Sequence, residues 1–560
     1  MNRLSSPFVS LKTHYEIAII GSGYGGAIAA SRLARGGRDV AVFERGREIQ
    51  PGEYPRHALE FAAEVQADLP EMRIGARTAL FDFRLNDPMN VIVGCGLGGT
   101  SLINANVSLR PEPRVFADEH WPAEIRADAT NGVLDACFVH AEQMLGATPY
   151  PNDYPRLPKH AALEAAARRL NAKFSRPLLN VTFRDGPNFA GFPQQACVNC
   201  GDCVSGCNYG AKNTLLMNYL PDAKKHGAQI FTELALEYIE AQGDGWQLHF
   251  RSMRKDPGSA PVPLIRANVV ILAAGTLGST EILLRSRDRG LSLSDAVGKR
   301  FSGNGDMIGL TYNAECVING VGFGPHPPKD REPVGPCVTG MIDLRNQARL
   351  EEGKVMEEAS LFGPVAAYLP DMLAAAAALL GKNTERGIIE RMAAKLRTWR
   401  SLIGGAYVGA LRNTQTYLVV AHDDSAGEMF LQDDRLRVRY PGAGGSPLLA
   451  QSSRLMEQAS AALCGDYIKD PVWNRWTDKA IISGHPLGGC VMAAGAEQGV
   501  VNHKGQVFTR TAGEEAYAGL YVLDGAVAPR SLGVNPLLTI SALAERNARR
   551  LVQDRYWRAY

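Results

Sequence analysis

Neither sign of charge dominates this chain: 60 Lys and Arg stand against 58 Asp and Glu, a formal net charge of +2. A chain so close to neutral offers no basic face for a polyanion, so nucleic acid is not an expected partner. Long apolar runs are missing too, and none reaches the ~18 residues expected of a membrane-spanning helix. The opening residues, MNRLSSPFVSLKTHYE, contain no apolar core of signal-peptide length. Together these absences predict a cytoplasmic protein in a reducing compartment. Its ten cysteines then point to thiols, metal or redox chemistry before a disulfide scaffold. No internal repeat or low-complexity linker interrupts the 560 residues, a length that predicts more than one domain.

What the chain has in quantity is glycine, 58 residues of it, and the glycines fall in patterns. In EIAIIGSGYGGAIAASRL a short apolar strand, Tyr15 to Ile20, runs into Gly21, Gly23 and Gly26, and a helix opens at Ala27. Gly21 permits the tight turn, Gly23 lets a pyrophosphate approach the backbone, and Gly26 allows close helix–strand packing. The helix N-terminus offers free N–H groups and a positive dipole end to phosphates. A second strand, Asp39 to Phe43, ends in Glu44, where a carboxylate would accept hydrogen bonds from an adenosine ribose. An acid there favours a free 2′-hydroxyl, hence NAD or FAD over NADP.

Three further segments bear on which dinucleotide. ANVVILAAGT, containing Ala274, reads as a buried strand whose end passes beneath a cofactor. GLYVLDGAVAP is another strand, ending in Asp524 and Gly525, with a carboxylate for ribityl or bridging groups and a glycine for room. NVIVGCGLGGTSLINANVSLRP holds Gly98 and Gly99, with Ser101 and Asn104 spaced to hydrogen-bond a flat heteroaromatic ring. Its Gly94, Gly96 and Gly99 repeat the G-x-G-x-x-G spacing, but no crossover helix and acid-ended strand follow, which argues against a separate NAD(P)H site.

These blocks, with VGKRFSGNGD, SGHPLGGCVM and VLDGAVAPRSLGVNPLLTISALAERN, resemble the glucose-methanol-choline (GMC) oxidoreductases, and most their cholesterol oxidase-like branch. The resemblance runs from residue 15 to 547. It implies an α/β protein, α+β overall, with bound FAD. A discontinuous Rossmann-like FAD domain would comprise residues 1–115, 196–312 and 475–560. A substrate domain of mixed sheet and helices would take 116–195 and 313–474. Alternating segments such as QTYLVVAHDD and MFLQDDRLRVRY suit such a sheet.

Oxidising an alcohol on a flavin sends a hydride to N5 and needs a base for the hydroxyl proton. His485 in SGHPLGGC and Asn535 in GVNPLL are each stiffened by a following proline, and the resemblance implies that they are the active-site pair. Asn535 before Pro536 also reads as a helix N-cap, with the helix aimed at the flavin. The branch places a glutamate over the substrate. Here VMEEASLFGP leaves Glu357 or Glu358, with Glu358 favoured and a solvated helix carboxylate as the plainer reading. The expected substrate is a bulky apolar alcohol, with molecular oxygen or an external acceptor taking the electrons. A hydroxynitrile lyase-like activity without net redox and a flavin disulfide reductase are the alternatives.

Two features stay outside that scheme. CVNCGDCVSGC spaces Cys197, Cys200, Cys203 and Cys207 like ferredoxin ligands, so an iron–sulfur cluster, a thiol or disulfide loop and zinc are all open. Related sterol and fatty-alcohol oxidases resemble this segment and are not generally iron–sulfur proteins. The second feature is a basic amphipathic helix carrying Arg386, Arg391, Lys395, Arg397 and Arg400 beside Ile388, Ile389, Met392 and Leu396. It fits transient contact with a membrane surface or a helix with one solvated face.

Overall fold

The computed structural model describes residues 2–254, 262–324, 332–382, 387–470, 472–474 and 479–555. Its organising element is an eight-stranded sheet. β1 (His14–Ile20) lies between β2 (Val40–Phe43) and β6 (Ile265–Leu272), parallel to both. β3 (Gln229–Phe231) extends the parallel set beyond β2. β1, β2 and the second half of β6 are buried on both faces, which is why they read as apolar runs rather than as alternation. β6 changes partner along its length. Its first half pairs antiparallel with β5 (Gly245–Ser252), itself in a hairpin with β4 (Leu234–Gln242). Its second half pairs parallel with the C-terminal strand β10 (Ala516–Val522). Strand ends separated by hundreds of residues thus come to one edge.

α1 (Tyr24–Arg35) starts at Tyr24 rather than at Ala27. Two glycines fit its first turn because other backbone lies against them: a Cβ on Gly25 would sit 1.7 Å from the Leu523 carbonyl oxygen, and one on Gly26 2.1 Å from that of Gly21. The last helix, α5 (Leu537–Asp554), packs on α1 through a buried ion pair, Arg32 to Glu545 at 2.6 Å. α2 (Gly275–Asp288) follows β6 directly.

A second, seven-stranded sheet faces this assembly. Its centre is β7 (Met307–Tyr312), β9 (Gln415–Ala421) and β8 (Lys354–Ala359), extended on one side by Met341–Asp343 and Lys173–Ser175. Every pair in it is antiparallel, where a mixed sheet was expected. Alternating hydrophobicity reports which face of a strand is buried and says nothing about strand direction. The segment MFLQDDRLRVRY also departs from expectation: it forms a hairpin in a separate three-stranded sheet. A five-stranded sheet then pairs Ile481–Ser483 parallel with Met89–Gly94. That pairing sets the segment around His485 beside the glycine-rich turn that follows Gly94.

Among the described residues no helix is long and apolar enough to cross a membrane. α3 (Leu369–Leu380) and α4 (Ile388–Gly404) pack together at the outer edge of the second sheet. Arg386 lies outside the described residues.

Candidate active site

A cavity of about 530 Å³ opens where β1, β6 and β10 end and the second sheet begins. At one end its wall is nearly all backbone. Gly21 takes φ +95°, and a Cβ there would fall 2.3 Å from the Ala273 carbonyl oxygen, whereas one on Gly23 would meet nothing within 4 Å. Gly23 caps α1 without a side-chain hydrogen bond, so the N–H groups of the first turn face an open slot. Glu44 lines the same end, with Oε2 accepting from the Ser22 hydroxyl at 2.6 Å and Oε1 from the Gly46 N–H at 2.7 Å. Ala274 and Gly525 line the cavity as well. Asp524 accepts from the N–H groups of Gly275 and Ala526, both at 2.9 Å, and from the Ser279 hydroxyl at 2.5 Å. Burial pushes its carboxyl up to about 6.

Not every residue of the glycine-rich segment has the expected place. Gly99 touches the fingerprint turn: a Cβ on it would lie 3.0 Å from the Gly23 Cα. Gly98 donates its N–H to Ser22 Oγ at 2.9 Å and is not part of the cavity wall. Ser101 is a correction. Its hydroxyl donates to the Gly98 carbonyl at 2.6 Å and accepts from the Leu215 N–H at 3.2 Å, so it braces the turn from behind. Asn104 does line the cavity, donating to the Tyr24 hydroxyl at 2.7 Å. Two residues on is Asn106, at φ +70°, buried in the wall with neither side-chain polar atom partnered. Buried amides are rarely left so, and this one has both a donor and an acceptor to offer a bound molecule. Only burial distinguishes it in NANVSL.

At the other end of the cavity an imidazole, an amide and two carboxyl groups meet. His485 Nδ1 lies 2.8 Å from Asp306 Oδ1, and Asp306 Oδ2 accepts from the Ser483 hydroxyl and the Gly484 N–H, both at 3.0 Å. The carboxylate therefore fixes an Nδ1–H tautomer and leaves Nε2 for the cavity. Burial opposes the charged imidazolium, but the charge and hydrogen bond of Asp306, with Glu357, outweigh it and raise the His485 pKa. Asp306 ends the VGKRFSGNGD block, and nothing in the sequence marks it as a histidine partner.

Asn535 also lines the cavity. The N-cap reading fails for it: α5 starts at Leu537 and is preceded by Pro536. Its Nδ2 instead donates to Glu357 Oε2 at 3.3 Å, and its buried Oδ1 has no partner. Glu357 is fully buried, and burial pushes its carboxyl up to about 7 despite His485 and Asn535.

Glu358 is the second correction. It lies on strand β8, not on a solvated helix, and successive side chains of a strand point to opposite faces. Glu357 pairs across the sheet with Leu418, a cavity residue, while Glu358 turns away to Lys159 at 2.6 Å and the Thr339 N–H at 2.8 Å. The ion pair is wholly buried. It anchors β8 and has no contact with the cavity.

Cys197, Cys200, Cys203 and Cys207 wrap a small separate cavity with Tyr209 and Lys212. All ten cysteines are free thiols. Among the described residues no three His, Cys, Asp or Glu side chains converge as a metal ion requires, which leaves the iron–sulfur and zinc alternatives without a ligand set. Burial raises the Cys197, Cys200 and Cys203 thiols, Cys203 to about 12.

The family model for GMC oxidoreductases matches residues 20–303, and its C-terminal counterpart matches residues 448–544. The chain belongs to the GMC oxidoreductase family. It is 27% identical to a cholesterol oxidase of Mycobacterium tuberculosis, over 96% of this chain and 91% of that one. A cholesterol oxidase of Acinetobacter baumannii is also 27% identical, over 95% and 93%. A long-chain-alcohol oxidase of Arabidopsis thaliana is 24% identical over 94% of this chain and 66% of its own length. In fold it is similar to a fungal aryl-alcohol oxidase, with a TM-score of 0.60 and 15% identity over 98% of this chain and 100% of that one. This GMC member is thus an FAD-dependent oxidoreductase acting on CH–OH donors. The cavity fits the cofactor: glycines clear the slot at the α1 N-terminus, Glu44 stands at the end of β2, and the Asn106 amide is unpartnered.

Asp306 offers a direct check on the histidine. A base must be neutral to accept a proton, so if His485 is the base the acid limb of kcat/KM follows its pKa, which Asp306 holds above the usual ~6.5. In Asp306→Asn that limb is expected to move to lower pH, with a lower plateau because the tautomer is no longer fixed. An unmoved limb would show that His485 does not set it.

Proposed function

We propose that this oxidoreductase acts on a bulky apolar alcohol, sterol-like or long-chain, with His485 as base and Asn535 as the group that holds the substrate oxygen. One observation carries the reading: the half-buried His485, held by Asp306, and the buried Asn535, whose Oδ1 is unpartnered, enter one cavity whose wall also includes the apolar side chains of Ile92, Ile308, Phe362 and Leu418. Phe61, Phe81 and Phe362 form a continuous ring-on-ring contact in that wall, with centroids 4.8 and 5.3 Å apart. FAD, when bound, supplies the hydride acceptor. Nε2 of His485 takes the hydroxyl proton, and Asp306 and Glu357 stabilise the imidazolium that results. Asn535 gives one amide hydrogen to Glu357 and has the other for the substrate oxygen. Anaerobic bleaching of the bound flavin, screened across sterols, long-chain alcohols and sugars, tests this. Sterols or long-chain alcohols are expected to reduce it fastest. Preferential reduction by sugars would remove the apolar substrate, and absence of bleaching by any alcohol would favour the lyase.

The same reading includes transient contact with a lipid surface through α4. Ile388, Met392, Leu396, Trp399 and Ile403 share one helical face, and they are exposed by 63% to 80%. The buried residues Ala394 and Ser401 lie on the opposite face, so the apolar stripe points straight outward. Exposed Arg391, Lys395 and Arg400 flank it, as suits anionic headgroups at roughly 1 kcal/mol per basic residue. Leu396→Asp with Ile403→Asp is expected to weaken cosedimentation with anionic vesicles at least tenfold, since each buried aliphatic side chain contributes about 1.5–3 kcal/mol. Oxidation of vesicle-held sterol should fall while a water-soluble alcohol is oxidised as before. Equal loss on both would count against the membrane.

A further inference from the structure

The cysteine loop has one member the reaction above does not use. Lys212 is fully buried, and its ammonium donates to three backbone carbonyls: Asn104 at 2.6 Å, Cys203 at 2.9 Å and Leu102 at 3.1 Å. Two of those carbonyls belong to the segment whose next residues, Ile103 to Val107, form one wall of the cofactor cavity. The third belongs to the turn that places Val204 in the same wall. No carboxylate is among its contacts. The ionisable groups facing it are the thiols of Cys203, Cys207 and Cys337, with Cys197, Cys200 and Tyr209 around the same small cavity.

A buried ammonium is ordinarily paired with an anion, because neutral dipoles alone repay little of its lost hydration. Burial holds the Cys203 thiol near 12 and raises Cys337 as well, so neither supplies that anion near neutrality. Burial without a counter-ion also draws Lys212 down to about 8. Near neutrality the ammonium therefore keeps its charge, and among the described residues it meets carbonyls and no carboxylate. The wall it braces, Ile103 to Val107, lines the cavity that fits the cofactor.

We propose that Lys212 is a positioning residue for electron transfer: the four-cysteine loop holds its ammonium behind the Leu102–Asn104 wall, where it stabilises the negative charge of the reduced flavin. The inference rests on the FAD-dependent reading above. Two electrons and one proton convert oxidised flavin to its anionic reduced form, the electrons coming from the alcohol, and Lys212 forms no bond in that exchange. The cysteines then have a physical task without metal: small, neutral, apolar side chains enclose the ammonium without neutralising it.

The test is the midpoint potential of the bound flavin, measured by anaerobic equilibration with a reference dye. Lys212→Gln keeps a donor for the carbonyls and removes the charge, Lys212→Met removes both, and Lys212→Arg keeps the charge. The Gln and Met variants are expected to lower the equilibrium constant for two-electron reduction at least tenfold, about 30 mV, while Arg stays within threefold of the parent. A flavin-loaded Gln variant with the parent potential would overturn the proposal. If the neutral variants do not retain flavin, the pH dependence of the potential serves in the His485→Asn background, which removes the competing imidazole. Uptake should steepen above about pH 8 from one proton per two electrons to two, a further ~30 mV per pH unit. A constant slope from pH 7 to 10 would overturn it. Absence of flavin from the parent protein would instead defeat the reading on which the proposal rests.

Discussion

His485→Ala is expected to lower kcat by about 10²–10⁴-fold on any alcohol the enzyme oxidises, with flavin content unchanged. The imidazole is the group that the surroundings prepare most completely for proton transfer. Asp306 fixes its Nδ1 at 2.8 Å and is itself fixed by Ser483 and Gly484. Asp306 and the nearby Glu357 raise its proton affinity against the opposing effect of burial, so the neutral ring is a stronger base than free histidine. Removing the ring leaves Asp306 with two donors and the fold with its strands intact. The loss should therefore appear in kcat and kcat/KM together, as for an interaction made in the transition state. A loss below about tenfold would show that proton removal does not limit the reaction or that another group performs it. Glu357, with its carboxyl near 7, would then be the next group to substitute.

The largest effect on stability is expected at a pair that never meets the substrate. Lys159 and Glu358 are wholly buried at 2.6 Å, with the Cys337 carbonyl 3.1 Å from the ammonium and the Thr339 N–H 2.8 Å from the carboxylate. Lys159→Met leaves a carboxylate inside the protein without its cation, which costs about 3–5 kcal/mol. Replacing both, as Lys159→Met with Glu358→Leu, removes the uncompensated charge and should recover most of that loss. Denaturant unfolding monitored by tryptophan fluorescence would show it. A single variant as stable as the parent would mean that water or a rearrangement satisfies Glu358. The pair also carries information about the site. Because Glu357 is the next residue on β8, a strand that slips by one position would put the wrong glutamate behind Asn535. The Lys159→Met variant should therefore lose activity before it loses its fold, an effect visible as reduced kcat at denaturant concentrations where fluorescence is unchanged.

Much of this protein was legible from neighbouring residues alone. The turn at Gly21 and Gly23, the acid at the end of β2, the buried strands β6 and β10 and the proline-stiffened His485 and Asn535 are all short-range patterns. A turn that needs positive φ, or a doubly buried strand, constrains the residue types within a few positions. Tertiary structure alone decided the partners. Which of two adjacent glutamates backs Asn535 depends on the pairing of β8 with β9, a register that no local pattern encodes. Asp306 became the orienter of His485 only when residues 179 positions apart were brought together by separate sheets. Ser101 moved from ligand to brace, and Asn106 emerged as an unpartnered amide, because burial is a property of the packed whole. The ferredoxin-like cysteine spacing left a cluster, a thiol or disulfide loop and zinc open, and the folded loop closes as free thiols around Lys212. Spacing limits how far apart thiols can be, and where their sulfur atoms point is settled by what fills the space between them.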